Sequence, residues 1–381
     1  MLDRQTALAL DAADPLSSWR GEFVIADDSL VYLDGNSLGM LPRRTVERLQ
    51  RVMQEEWASG LIRSWDDWLD LPGRVGDRLA PLIGANAGEV AVHDSTTINL
   101  YQLVVAACAM RPDRHVIAID SQEFPTDRYV VDGVAQSRGM QIRAGFDHLD
   151  DVAVMVRSVV DYRNAELADV GGETARATAA GAIALWDVSH AVGLLPVDLR
   201  GAGVQLAVGC TYKYLNGGPG APAFSFVTRE LQPTLPQPIW GWFGQTDQFA
   251  MGPRFVPQPD IRRVLVGTPS ILALAAAEEG ISLTIEAGIS AIADKARRLT
   301  GFAIDLCDQL GLDTSSPRDA DRRGGHVAVV HGNARQIVTT LASRRVLVDY
   351  REPDVVRLGC SPLTTRFVDV FDALQCLAQL V

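Results

Sequence analysis

Of the 35 basic residues in this 381-residue chain, 33 are arginine and only two are lysine, Lys213 and Lys295. Solvated charge accepts either type, but a Schiff base needs an amine that can lose its proton, which a guanidinium cannot do. Lys295 falls in the helical pattern AIADKARRLTGFAIDLC beside Arg297 and Arg298, where it is expected to face solvent. Lys213 falls in VGCTYKYLNGGPGAPAF, among aromatics and glycines and away from any charge run. Asp187 closes the apolar run AIALWD, His190 follows three residues later, and Lys213 follows the run LAVGC. In α/β folds ligands bind at the carboxyl ends of strands. A lysine and a carboxylate on neighbouring strand ends fit pyridoxal phosphate, whose ring accepts electrons when its nitrogen is kept protonated. An N-cap is the plainer role for Asp187 taken alone. In DSTTINL, Ser95, Thr96 and Thr97 put hydroxyls and helix N-terminal amides where a phosphate would sit. Phe124 in EFPTDRY could stack on a flat heterocycle.

The elements that must position these residues follow from the apolar runs. EVAVHD, HVIAID, VAVMVRSV, AIALWDV, LAVGC and APAFSFVT read as buried strands, and TTINLYQLVVAACAM and FPTDRYVVDGVAQSRG as flanking helices. Strands alternating with helices predict an α/β domain with a mainly parallel sheet covered on both faces. A helical period runs from Pro42 to Trp57. After residue 270 two long helices precede short strands in HVAVVHG and VVRLGC, with RQIVTTLASRR helical between them: a smaller α+β domain. The expected division is 1–45, an N-terminal segment whose strand near Leu30–Leu33 joins the small domain, then 46–270 and 271–381.

Composition narrows the class. Hydrophobic residues make up 47% and charged residues 22%, as in an ordinary globular protein. The formal charge of −12 implies no basic surface for nucleic acid or an anionic membrane. No apolar run suits a transmembrane helix, the N-terminus has no secretory pattern, and the five cysteines show no CxxC spacing. A cytoplasmic protein with reduced thiols and no metal site is expected. Phosphate-loop, dinucleotide, HExxH and GxSxG motifs are absent.

The segments YLDGNSLGMLP, GLIRSW, LAPLIGA, FPTDRY, DVSHAVG, YKYLNGGPGAPAF, GWFGQ and VGTPSIL occur in this order, and together the chain resembles the kynureninases from about residue 30 to 370. The resemblance implies the type I aminotransferase fold and the class V group. It implies a homodimer that hydrolyses L-kynurenine or 3-hydroxykynurenine to anthranilate or its hydroxylated form and L-alanine, in tryptophan breakdown and NAD biosynthesis. Carried over, Lys213 would hold the cofactor and Asp187 its ring nitrogen. Phe124 would stack on the ring, and His190, Asp127 and Ser158 would line it. Thr96 and Thr97 would hold the phosphate with Tyr212, which would also carry protons with help in ionising from its neighbours. Trp242 and Thr268 would reach in from the second subunit. Arg357 would bind the substrate carboxylate, with Ser37 and Trp65 also on the substrate side.

Three positions depart from the family pattern: Val159 for a histidine, Asp161 for an asparagine and Thr364 for an aromatic. The 61–72 loop is also about two residues short. They bear on the aryl group accepted, not on the cofactor residues. Two other readings compete: a cysteine desulfurase or selenocysteine lyase, and a catalytically inactive binding homologue. The desulfurase chemistry needs a nucleophilic cysteine shortly before the arginine, and LASRRVLVDYREPDVV has none.

Overall fold

A computed structural model describes residues 1–381. Strand β1 is Val31–Tyr32, and seven further strands build the central sheet: β2 Val90–His93, β3 Val116–Ile119, β4 Gln141–Ala144, β5 Val152–Ser158, β6 Ile183–Asp187, β7 Leu206–Gly209 and β8 Ala223–Val227. Their order is β2-β8-β7-β6-β5-β3-β4, with β8 antiparallel to both neighbours and the other pairs parallel. The expected mainly parallel sheet is therefore present, and all six predicted strands belong to it. The seventh, β4, is not among the apolar runs of the sequence. This edge strand is largely exposed, and Gln141 and Arg143 interrupt the apolar signal.

Apolar residues alternate across β6 and feed two cores. Ile183 and Leu185 pack with Val104 of the helix Thr96–Ala109 and Val131 of the helix Pro125–Arg138. Ala184 and Trp186 pack on the other face with Val75 and with Ile281 of the helix Ile271–Ala287. Covering both faces leaves only the strand ends open, which is where chemistry can be placed.

The C-terminal part has helices Ile271–Ala287 and Ile289–Leu310, then β9 His326–Val330, helix Ala334–Ser343, β10 Val346–Leu347, β11 Asp349–Arg351, β12 Val355–Gly359 and helix Phe367–Ala378. Strands β11, β12 and β9 form an antiparallel sheet in that order. The N-terminal strand β1 runs parallel to β10, with Val31 opposite Val346. The helix predicted from Pro42 is α-helical over Arg43–Arg51 and widens to π-helical turns over Val52–Gly60.

One expectation is overturned. Lys295 is buried, and its ammonium lies 2.6 Å from the Asp14 carboxylate. Residues before the first strand fold over the helix Ile289–Leu310, a contact that helical periodicity alone does not reveal. Burial lowers the lysine pKa, and Asp14 opposes that shift.

Candidate active site

Strand β7 ends at Gly209, and Lys213 lies in the turn that follows. The turn is held by Asn216, in the left-handed region at φ 54°, and by Gly39, whose N–H donates to the Tyr212 carbonyl at 2.8 Å. A Cβ on residue 39 would lie 2.3 Å from the Lys213 carbonyl oxygen, so only glycine admits this approach. The Lys213 ammonium is buried, 3.3 Å from His190 Nε2 and 5.9 Å from the centroid of the Phe124 ring. Burial and the Lys213 charge hold His190 well below the ordinary histidine pKa. Its neutral ring can therefore accept from the ammonium.

Asp187 ends β6, the parallel neighbour of β7, and is opposite Ser158 in the β5–β6 register. Its Oδ1 accepts from the Ser189 N–H at 2.7 Å. Asp127, on the first turn of the helix after Phe124, is almost wholly buried, and its Oδ2 has no partner. Burial first, then the charges of Asp187 and Glu123, raise the Asp127 pKa well above the usual carboxyl range. Glu123 has no distinguishing mark in the sequence. Its two oxygens accept from the Phe124 N–H at 2.9 Å and the Ser158 N–H at 2.8 Å, tying the start of the helix Pro125–Arg138 to the end of β5.

Ser95 caps the helix Thr96–Ala109, accepting from the Ile98 N–H at 3.4 Å. Thr96 Oγ1 is buried with no partner, while Thr97 is exposed at the same helix end. A buried unpaired hydroxyl at a helix N-terminus, a buried unpaired carboxyl oxygen and a buried amine are groups that fit a flat heterocycle carrying a phosphate.

Arg357 on β12 is fully buried. Its Nη1 donates to the Tyr162 carbonyl at 2.6 Å, and its Nη2 donates to Ser37 Oγ at 3.1 Å and to Asp349. His326, on β9, is likewise unmarked in the sequence. Its ring centroid lies 6.2 Å from that of His190, and its Nε2 is buried without a partner.

The family described as the kynureninase C-terminal domain matches residues 292–377. A kynureninase of Pseudomonas fluorescens is 41% identical over 100% of this chain and 96% of its own length. One from Burkholderia pseudomallei is 42% identical over the same shares. The chain belongs to the kynureninase family. A cysteine desulfurase of Thermococcus onnurineus superposes with a TM-score of 0.82 at 17% identity, covering 93% of this chain and 95% of that one, which shows a shared fold.

Set against that family, the remaining sequence-derived residues divide. Trp65 packs against Trp68 and Phe243, and Trp242 stands edge-on to Phe243 at 4.6 Å and remains partly exposed. Thr268 is exposed and lines a cavity of about 160 Å³ with His93, Asp94 and Phe243. None of these three is among the groups around Lys213. Tyr212 departs from expectation. Burial first, then Cys210, pushes its pKa up instead of down, so the phenol is held as a proton donor and not as a phenolate. The departures have structural partners. Val159 is a core residue, Asp161 caps a turn through the Arg163 and Asn164 N–H groups, and the backbone of Thr364 is tied to Arg20 and Ser361. Cys360 is wholly buried, and burial pushes its thiol pKa up to about 12, so it offers no thiolate nucleophile. No helix is long and apolar enough to cross a membrane.

Proposed function

We propose that this chain hydrolyses L-kynurenine or its 3-hydroxy derivative to the aryl amino acid and L-alanine, with pyridoxal phosphate held by Lys213. The observation that carries this reading is a buried lysine amine at a strand end, flanked by His190 and next to the carboxylate-bearing end of the parallel strand, in a chain of the kynureninase family. Bound to an amine and protonated at its ring nitrogen, the cofactor supplies an electron sink for the substrate α-carbon.

The chain's own residues do the rest. Asp187 keeps the proton on the ring nitrogen, and Asp127 lines the cofactor beside it. Ser158 lines the same edge through its backbone. Thr96, Thr97 and the helix amides hold the phosphate, and Phe124 packs on the ring face. Lys213, released when substrate binds, moves the proton away from the α-carbon, with His190 receiving its hydrogen bond. Arg357, with Ser37, binds the α-carboxylate through its planar fork. Tyr212 gives its proton to the γ-carbonyl oxygen as water adds to the γ-carbon, and takes back the proton that the added water loses. The Cβ–Cγ bond then breaks, releasing the aryl acid and leaving the alanine carbon skeleton to be reprotonated.

The reading extends to a homodimer in which Trp242 and Thr268 complete the site of the partner subunit. The exposed Trp240, Trp242, Phe249 and Met251 supply an apolar surface for it. Residues 46–270 act as the cofactor domain, residues 271–381 as the small domain, and the N-terminal segment packs with the latter. Five unpaired cysteines suit the cytoplasm, and tryptophan breakdown is the pathway. The test is a panel of kynurenine, 3-hydroxykynurenine and cysteine with the cofactor-loaded protein. Release of the aromatic amine with alanine is expected, and sulfide release from cysteine without it would overturn the reading.

A further inference from the structure

The salt bridge between Asp349 and Arg357 lies where the substrate carboxylate must bind. Strand β11 pairs antiparallel with β12 so that Asp349 stands directly opposite Arg357, which places both on one face of the small sheet. The guanidinium has no solvent to turn to: the Arg357 side chain is 1% exposed and that of Asp349 11%. All three of its nitrogens already have acceptors. Nη1 gives to Tyr162, and Nη2 gives to Ser37 and Asp349. With its carboxamide oxygen turned toward the arginine, Asn36 accepts from Nε at 2.8 Å and from Nη2 at 3.1 Å. A carboxylate arriving at this fork must take the place of a partner already there, and only one of those partners is an anion.

Asp349 is equipped to let go. Its Oδ2 alone receives Arg357 Nη2, Arg351 Nη2 at 2.7 Å and Ser37 Oγ at 2.9 Å. Arg351 is about a third exposed and sits two residues along the same strand. When Arg357 and Ser37 turn to a ligand, Asp349 keeps the Arg351 guanidinium and is not left as a lone buried charge, the state that costs most.

We propose that Asp349 is a placeholder for the substrate α-carboxylate: it neutralises Arg357 while the site is empty and yields the fork to the substrate by passing to Arg351. This rests on the reading of Arg357 as the carboxylate site. The exchange keeps a buried guanidinium paired at every stage, at the expense of affinity for the substrate. Asp349 thereby becomes a specificity residue, because a ligand without a carboxylate cannot replace it.

The experiment measures binding of kynurenine and of its decarboxylated amine to the cofactor-loaded wild type, Asp349→Asn and Arg351→Gln by spectral titration. Melting temperatures are recorded with and without ligand. Asp349→Asn removes the competing charge at constant shape. It is expected to bind kynurenine about tenfold tighter, the size of one charge-assisted contact, with the decarboxylated amine unchanged. Its melting temperature falls without ligand and rises more on adding kynurenine than that of wild type. Arg351→Gln, at a partly exposed position, moves the other way: Asp349 loses its alternative partner, and kynurenine binds more weakly. Unchanged or weaker kynurenine binding by Asp349→Asn would overturn the placeholder role while leaving Arg357 as the carboxylate site. Should Asp349→Asn fail to fold, unchanged or tighter binding by Arg351→Gln overturns that role equally. If wild type binds the two ligands equally well, it is the carboxylate role of Arg357 that fails.

Discussion

Replacing Lys295 by Met tests the one residue whose setting the helical pattern misrepresents. Its ammonium and the Asp14 carboxylate are 2.6 Å apart, with side chains 5% and 3% exposed. Removing the cation leaves Asp14 buried with only the Leu16 N–H, at 3.0 Å, to satisfy it. Breaking a buried pair from one side costs about 3–5 kcal/mol. The loss should be felt where the N-terminal segment docks, since Asp11 also caps the last helix through the Phe367 and Val368 N–H groups. The double variant Asp14→Leu, Lys295→Met removes both charges and should recover most of the loss, giving a coupling of about 2 kcal/mol or more. Urea unfolding followed by tryptophan fluorescence measures all three variants. The visible absorbance of the native Lys295→Met protein reports its cofactor, which should be retained. A single variant within about 0.5 kcal/mol of wild type would refute the argument that this pair holds the segment. A folded Lys295→Met protein that had lost its cofactor would assign the reactive amine to the wrong lysine.

Arg357→Lys keeps the charge but loses the planar fork. At about 2–5 kcal/mol for a buried charge contact, kcat/KM should fall roughly 30-fold to several thousandfold with cofactor loading preserved; steady-state kinetics beside the cofactor spectrum checks this, and unchanged kcat/KM would remove Arg357 from the site. His190 and His326 both have pKa values held well below 6.5 by burial first and then by neighbouring cations. The unfolded chain therefore binds more protons than the native one below pH 6.5, and stability is lost as pH falls through that region. His326→Gln should flatten this acid limb by up to about 1.4 kcal/mol per pH unit, read from urea midpoints between pH 5 and 8; an unaltered slope contradicts the assignment of a buried neutral ring. Mixing inactive Lys213→Ala and Trp242→Ala proteins under subunit exchange should restore activity at one of the two sites of the mixed dimer. No recovery despite proven exchange would mean that each chain completes its own site.

Much of the fold was legible because buried parallel strands are written as unbroken apolar runs: VAVMVRSV and AIALWDV each overrun strands β5 and β6 by no more than one residue at an end. β4 was not, since an exposed edge strand has no reason to be apolar, and β10 and β11 are too short to show a period. The lysine, the aspartate and the threonine-bearing helix start could be read locally, because each sits at the end of an element whose pattern is clear. Glu123, His326 and Asp349 could not. Their value comes from partners such as Ser158, His190 and Arg357, which only the tertiary fold brings near. Lys295 misled for the same reason: Asp14, 281 positions earlier, is invisible to a helical wheel. Tyr212 needs help from the neighbouring lysine or the cofactor to ionise, whereas burial dominates its titration and raises its pKa.

The central claim is that the cofactor is carried by the amine of Lys213. Borohydride reduction of the cofactor-loaded wild-type protein, followed by digestion and mass mapping, tests it directly, because the chain offers only two lysines. The account predicts a single reduced adduct on the peptide containing Tyr212-Lys213-Tyr214, and none in the Lys213→Arg protein. An adduct on Lys295, or one that survives the substitution at 213, would contradict it.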